Sequence, residues 1–535
     1  MIALPQHSKV LIVGAGPSGL MMAAQLLRYG IQPLIIDIRK GPTNQSKALA
    51  VQARSLEIYR QLGVVDKVLS GGKQAGGVGF NQGGKQLASL NWKTIPNAQT
   101  LYPFVFLYPQ SKNERVLLDY LTQACCPVYW ETSLSSLKQI FGGVEVTLIT
   151  GETTSTLVCD WVVGADGAHS VVRKQAGISF SGDTYQHKFY LADVKLADEV
   201  ADWDKVNLFV AQKGFAGFFP MPDEHSFRIV GSLPDGLENT ENIVLEDVLH
   251  DLRNITGSAM EIEKQNWFTT YKLHHRMADK FMEGRCFLIG DAAHIHSPVG
   301  GQGMNTGLQD AYNLAWKLAG VVNGQLKETV LNSYAAERMP VAKELLNTTD
   351  RVFNLITSRS WFSGILKRFV VPKALNLFWN SDKLRALFFK RLSQTAIGYR
   401  ESKINLHLSH SHKIKAGDRL PYLEIYDEKK KEKTDIHTWC AKPGFTLITL
   451  GEISETYLFT IAKWITQSYQ GSLNFFHLPS SASNQNVFDC FEVKPSTRKA
   501  LIIRPDMYIG YMNDLVDVEL MNNYLQNVAG LIKQG

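Results

Sequence analysis

Residues 284–320 read GRCFLIGDAAHIHSPVGGQGMNTGLQDAYNLAWKLAG, and this stretch decides the fold. A short apolar strand over 286–289 ends on Gly290-Asp291. A glycine-rich bend, Gly300-Gly301-Gln302-Gly303, follows and opens a helix. Met304, Leu308, Ala311, Ala315 and Leu318 recur at the spacing of one helical face, so this helix is expected to pack on a core. Such a helix aims its unpaired first-turn N–H groups and positive dipole end back at the bend and at Asp291. A ligand with a polyol and an electron-rich ring fits that corner better than a lone phosphate does.

Two more segments narrow the ligand. Residues 9–30, KVLIVGAGPSGLMMAAQLLRYG, are strand, GxGxxG turn (Gly14, Gly16, Gly19) and helix, with Gly30 placed to end the helix. Pro33-Leu34-Ile35-Ile36-Asp37 supplies a second strand ending in an acid, 23 residues past Gly14. That is close to the spacing at which a carboxylate meets an adenosine ribose. Gly14 allows the tight turn, Gly16 lets backbone approach a pyrophosphate, and Gly19 allows close helix–strand packing. In DWVVGADGAHSVVRK, 160–174, a strand over 161–165 runs into Asp166-Gly167 and a helix starting at His169-Ser170. A lone GxGxxG serves many loops, and a strand ending in Asp-Gly is weaker still. The ordered trio, with an acid after the second strand, is specific.

On these motifs the chain resembles the single-component FAD-dependent aromatic hydroxylases, the flavoprotein monooxygenases related to p-hydroxybenzoate and phenol hydroxylases. The resemblance covers about the first 345 residues well and the remainder more loosely. It implies an α/β protein with a Rossmann-like FAD-binding domain. Gly14, Gly16 and Gly19, with Pro17 and Ser18 between them, would hold the pyrophosphate, and Asp37 the adenosine ribose with Arg39 beside it. Gln110, in YPQSKNERVLLDYL, matches a glutamine that opens a helix near the adenosine. Asp166 falls in an element associated with FAD and the nicotinamide donor, and Asp291 matches the aspartate on the ribityl chain. Pro298, Gly303, Met304 and Asn305 match the loop and helix start facing the isoalloxazine ring. Lys47 stands where many relatives have arginine, next to flavin or NADPH.

The texture of the chain suggests its domains. The FAD domain is discontinuous, over 1–75, 110–180 and 280–345. Segments 76–109 and 181–279 carry short β-like runs separated by turn residues, and are assigned to a mostly antiparallel β sheet that roofs the flavin and receives the substrate. Residues 346–400 read as helical, their most apolar part interrupted by Arg359, Lys367, Arg368 and Lys373 too often for a membrane span. Residues 401–535 resemble the thioredoxin-like C-terminal domain of larger family members, without CxxC. His407, His410 and His412 are read as part of a hydrophilic linker without carboxylate partners, and no metal site is expected.

Composition excludes several classes. At 45% hydrophobic and 20% charged, the chain is an ordinary globular protein, not a disordered one. A net charge of +6 over 535 residues is too mild to imply nucleic acid, and the run EKKKEK at 428–433 mixes signs as a solvated loop does. Six cysteines without a CxxC argue against a zinc ribbon, a dithiol centre or a disulfide framework, which fits a reducing, cytoplasmic setting. Residues 10–27 are nearly uncharged, but their glycines and proline divide them into strand and helix. No transmembrane segment or signal peptide is expected.

As the resemblance implies, NADPH or NADH reduces FAD, oxygen adds at flavin C4a, and the hydroperoxide delivers oxygen to an electron-rich aromatic carbon. The alternative is a non-hydroxylating flavin oxidoreductase or a halogenase on the same scaffold. Related phenol hydroxylases carry an acid where SKALAVQARSLEIY has Leu49, so a substrate phenol must be activated otherwise, or the substrate is a larger fused-ring molecule. Tyr271, His274 and Arg276 are candidates for catalytic polar contacts, and Pro298 for shaping the oxygen side. Phe215, Phe218 and Phe219 are candidates for an aromatic slot. Dimers are common in the family, and a homodimer is compatible with the resemblance.

Overall fold

The computed structural model of the chain describes residues 4–533 except 44, 45, 47, 92–98, 198, 199, 212, 213, 235, 238, 239, 241, 297–300 and 358–380. Lys47, Pro298 and most of the apolar run in the 346–400 segment lie outside the described residues. The flanks of that run are helical, Asn332–Thr357 and Asp382–Leu392.

The apolar runs found in the sequence become neighbouring strands. Thr153–Gly164 pairs in parallel with His7–Val13 on one side and Cys286–Leu288 on the other. His7–Val13 also pairs in parallel with Leu34–Ile36. Val10, Leu11, Ile12, Ile35, Ile36, Val162 and Val163 are fully buried, as expected of a parallel sheet covered on both faces. A hairpin, Thr132–Ile140 and Gly143–Thr150, extends Thr153–Gly164 in antiparallel fashion.

Two helices stack on this sheet, Pro17–Arg28 and Gly303–Val322. The first opens with proline at its first turn, where the missing N–H costs nothing, and Gly30 follows it at φ +76. Their close approach depends on glycine: a Cβ on Gly307 would stand 2.3 Å from the Ser18 hydroxyl, and one on Gly290 2.4 Å.

The segments assigned to a roof form a second, eight-stranded sheet. Its long centre is Ile262–Ala278 against Phe180–Leu196, followed by Ser226–Ser232 and Gly214–Pro220, all antiparallel. Lys205–Ala211 continues it and pairs in parallel with Gly77–Gln82. Side chains alternate between its faces. Tyr190, Ala192, Val194, Phe218, Phe227 and Ile229 pack with Val248 and Leu252 of the Leu245–Thr256 helix into one core. The opposite face carries Phe189, Asp193, Phe215, Phe219, Arg228 and Tyr271.

The C-terminal region holds a five-stranded sheet. Phe445–Gly451 and Leu473–Leu478 are parallel and joined through the Glu455–Ser468 helix; Arg498–Ile503 and Ile509–Asn513 form an antiparallel hairpin beside them. Leu406–Leu408 adds an edge strand, parallel to Ile509–Asn513, where the sequence suggested a linker. The histidines there do find carboxylates: His410 lies 3.0 Å from Asp514, and the His412 amide donates to Glu492 at 2.7 Å. Among the described residues no cluster could hold a metal ion, and no helix is long and apolar enough to cross a membrane.

Candidate active site

The glycine turn divides into two crowded positions and one open one. Gly14 sits at φ +104, and a Cβ there would meet the Ala165 carbonyl at 2.4 Å; one on Gly19 would meet the Gly14 carbonyl at 1.9 Å. Around Gly16 nothing lies within 4 Å of an added Cβ. Open space over glycine backbone at a helix N-terminus is where a pyrophosphate fits. The Ser18 side chain faces the Gly303–Val322 helix, so its backbone alone remains for a phosphate.

Asp37 caps the second strand and is buried. Its carboxylate accepts from the Ala15 amide at 2.7 Å and from the Arg39 amide and Nε at 2.8 and 3.0 Å. Arg39 continues to the Ala15 carbonyl at 2.9 Å and to Glu114 at 3.4 Å. Gln110 opens its helix as expected, donating from Nε2 to Glu114 at 3.0 Å. Glu114, fully buried, is the member of this chain that sequence reasoning missed; its signal was an acid four residues after Gln110. A ribose hydroxyl reaching Asp37 has Arg39, one-third exposed, as the partner to displace.

Asp166 faces inward. It accepts from the Ser170 hydroxyl at 2.5 Å and the Val171 amide at 2.6 Å, and so holds the start of the short Val171–Gln175 helix. Burial pushes its pKa up, against these hydrogen bonds. Arg173 ties this loop to the next, donating to the Ala168 and Ala292 carbonyls, both at 2.8 Å. Asp291 is exposed beside it, on the turn after Cys286–Leu288.

Beneath that turn lies a buried hub that the sequence reading did not single out. Asp310 receives the Gly290 amide at 3.1 Å, His294 Nε2 at 2.7 Å and Arg338 Nε at 2.7 Å. Burial alone would raise its pKa, but Arg338 and His294 hold it down at about 2. Asp310 shares a helical face with Thr306, Asn313 and Lys317, a polar face that reads as solvated in the sequence although all four residues are buried.

The Gly303–Val322 helix starts without a side-chain cap, so its first-turn N–H groups remain for a ligand. Asn305, expected to face the ring, instead turns its side chain into the protein. Nδ2 donates to the Ala50 and Gly301 carbonyls at 2.9 and 2.8 Å, and Oδ1 accepts from the Gln52 amide and Ser55 hydroxyl at 2.9 and 2.7 Å. It holds the glycine bend in place, leaving contact with a ring to backbone at Gly303 and to the half-buried Met304.

One face of the roof presents aromatic rings, and its Phe219 clusters with Ala50, which borders Gly301 of the bend. Phe189 lies 6.0 Å from Phe215 and 6.1 Å from Tyr271, centroid to centroid. Phe219 packs with Leu49, Ala50, Val206, Leu208 and Phe389 in an apolar seam. Phe218 does not join them: it is fully buried on the other face, between Phe209 and Phe227. Arg228 and Asp193 form a buried two-bond pair at 2.7 and 2.6 Å on the aromatic face. At the edge nearer Asp166, Thr184 Oγ1 meets His274 Nδ1 at 2.9 Å and Arg276 Nη2 at 3.3 Å.

Residues 7–349 match the family model described as FAD binding domain. The chain belongs to this FAD-binding family. Within it, the chain is 33% identical over 424 residues to pentachlorophenol 4-monooxygenase of Sphingobium chlorophenolicum, 78% of this chain and 76% of the relative. It is 35% identical over 354 residues to 6-methylpretetramide 4-monooxygenase of Streptomyces rimosus, spanning 66% of this chain and 63% of that protein. Its structure superimposes on OxyS anhydrotetracycline hydroxylase from Streptomyces rimosus with a TM-score of 0.79 at 24% identity, over 98% of this chain and all of the other. That last likeness shows a shared fold. Open space at Gly16 and the uncapped helix at Gly303 suit the family's cofactor on this chain's own geometry.

Proposed function

We propose that this protein hydroxylates a planar, polycyclic phenolic molecule, using resident FAD, O2 and a reduced nicotinamide nucleotide. The observation that carries this is the aromatic face of Phe189, Phe215, Phe219 and Tyr271, joined to the glycine bend through Phe219 and Ala50. The activities named for its relatives support hydroxylation over halogenation or a simple oxidoreductase reaction. When bound, FAD supplies hydride acceptance and oxygen activation. The chain's own residues bind, orient and exclude water. The Gly14–Gly19 turn leaves room for pyrophosphate, Arg173 and Asp310 fix the two loops flanking the ribityl path, and the first-turn dipoles at Gly303 favour negative charge at the ring.

Proton handling separates this chain from simple phenol hydroxylases. Leu49 is buried in apolar contacts and cannot take a proton. Burial raises the pKa of Tyr271, so its hydroxyl can donate a hydrogen bond but does not serve as a base near neutral pH. A substrate whose hydroxyl ionises readily through extended conjugation needs no such base. That favours fused rings over a monocyclic phenol.

The nicotinamide donor is assigned to the cationic edge of the site. His274, Arg276, Lys272 and His169 lie close enough that the last three, after burial, lower the pKa of His274. Anionic phosphates suit this edge. The C-terminal region we read as a thioredoxin-like fold, supported by its parallel β-α-β unit followed by an antiparallel hairpin.

The test is consumption of NADPH and NADH by purified, FAD-loaded protein, with peroxide and product measured in parallel over monocyclic and polycyclic phenols. A polycyclic compound that speeds oxidation many-fold and gains one oxygen atom supports the reading. Stimulation by monocyclic phenols alone would sink the substrate class, and failure to hold FAD would sink the site.

A further inference from the structure

The C-terminal domain reaches the flavin corner through one turn. Residues 504–508, RPDMY, lie against two helices of the FAD domain. Arg54, 1% exposed and in the first turn of the Ala53–Leu62 helix, donates from Nη2 to the Asp506 carbonyl at 2.7 Å. Its guanidinium sits 5.3 Å from the Tyr508 ring centroid and 5.4 Å from that of Tyr312. The Asp506 carboxylate accepts from Trp316 Nε1 at 3.0 Å and Asn313 Nδ2 at 3.4 Å, both on the Gly303–Val322 helix.

Those two helices start at the same place. Gln52 and Ser55, on either side of Arg54, grip Asn305 Oδ1, while Asn305 Nδ2 holds Gly301 and Ala50. The turn at 504–508 therefore braces the far sides of two elements whose near ends meet at the glycine bend. We propose that the C-terminal domain is a working part of the flavin site: its 504–508 turn, gripped by Arg54, sets the position of the bend at 301–305. Arg54 is a positioning residue. It touches no reactant and acts through Gln52, Ser55 and Asn305. The inference rests on the flavin-site reading of Asn305 given above.

A control lies in the same domain contact. Arg60, farther along the same helix, bonds Asp435 of the C-terminal region at 3.1 and 2.6 Å, away from Asn305. The experiment uses full-length holoenzyme and the variants Arg54→Met, Arg54→Lys, Arg60→Ala, Asn305→Ala and Arg54→Met/Asn305→Ala. FAD affinity is read by fluorescence titration, the bound flavin by its absorption spectrum and midpoint potential, and global stability by circular dichroism melting.

Arg54→Met is expected to weaken FAD binding about tenfold and shift the flavin spectrum, and the double variant to be no worse than the poorer single one, as coupled residues behave. Arg54→Lys, which keeps a charge beside Glu57, the partner of Arg54 Nη1 at 3.1 Å, but not the fork, should fall between, and it carries the test where Arg54→Met does not fold. Arg60→Ala should leave FAD affinity within about twofold, the range of independent sites. Arg54 variants with lowered melting but unchanged flavin affinity and spectrum would overturn the inference, as would strict additivity in the double variant or an equal loss in Arg60→Ala. A flavin-neutral Asn305→Ala would overturn the site reading beneath it, whatever Arg54 does.

Discussion

The FAD domain has two seams, built from opposite materials. Against the C-terminal domain it presents buried charge. Glu337 binds Arg504 at 2.7 and 2.9 Å and Lys317 at 2.7 Å, and Glu57 binds Arg54 and Arg419, each at 3.1 Å. Against the roof it presents Leu49 and Ala50, which cluster with Val206 and Phe219 of the roof and Phe389 of the Asp382–Leu392 helix, while Arg228 of the roof reaches the Ala48 carbonyl at 3.5 Å. Buried ion pairs are poor in net stability but intolerant of displacement, since moving one partner strands the other. An apolar seam yields more easily and can admit a flat ligand. One seam is made to stay shut, and the other is free to yield.

The sharpest way to break the contrast is Glu337→Leu. It strands Lys317 in a dry interior and leaves Arg504 with Asp506 as its one carboxylate, whereas Glu337 is held ionised by these two cations against its own burial. Loss of about 3–5 kcal/mol is expected, read as the shift in a urea unfolding midpoint. A loss under 1 kcal/mol would mean the seam is wetter than its burial shows.

Phe218→Ala and Phe215→Ala test the roof's two faces. The first empties a fully buried site and should cost about 3–5 kcal/mol of stability. The second should cost less stability but about tenfold in kcat/KM for the hydroxylated substrate, roughly 1.4 kcal/mol at the transition state, with more peroxide released per NAD(P)H. Equal kinetic effects from the two would mean that the faces have been assigned wrongly.

Asp310 supplies a pH signature to the FAD domain itself. Its folded pKa, about 2, lies below the ordinary aspartate value of 3.8. Its contribution, about 2 kcal/mol, is therefore present above pH 4 and lost as pH falls toward 2. Asp310→Asn should flatten the stability curve in that window and loosen FAD, because an NH2 donor then faces either Arg338 or the Gly290 turn and His294. A variant as acid-sensitive as the parent would remove Asp310 from the hub.

How much of this was legible depends on how far each residue's partners lie along the chain. Gly14, Gly16, Gly19 and Asp37 lie within one strand–turn–helix–strand unit, so local spacing was enough to single them out. Asn305 was found by motif, but its side-chain partners Ala50, Gln52 and Ser55 were not, because they lie some 250 positions earlier. The 504–508 turn carried no signal for the same reason. Phe218 was a different error: in a strand, residues 215 and 219 share a face and 218 cannot, so the period of two already separated them. The edge strand at Leu406–Leu408 is too short to show a period at all.

The smallest effect concerns the donor edge. Burial first, then Arg276, His169 and Lys272, lower the pKa of His274 below 6.5, so the ring is neutral at pH 7. An anionic phosphate docking there would favour the protonated ring, and donor binding would then take up a proton. KM for the nicotinamide nucleotide should accordingly fall as pH drops from 7 toward 6, by about threefold, some 0.7 kcal/mol. His274→Gln should erase that slope while FAD affinity stays unchanged, and added salt should raise KM in both proteins because Arg276 and Lys272 remain. A slope that survives His274→Gln would place the donor's phosphates elsewhere. The cationic edge would then be a third kind of border, facing water, beside the sealed seam and the yielding one.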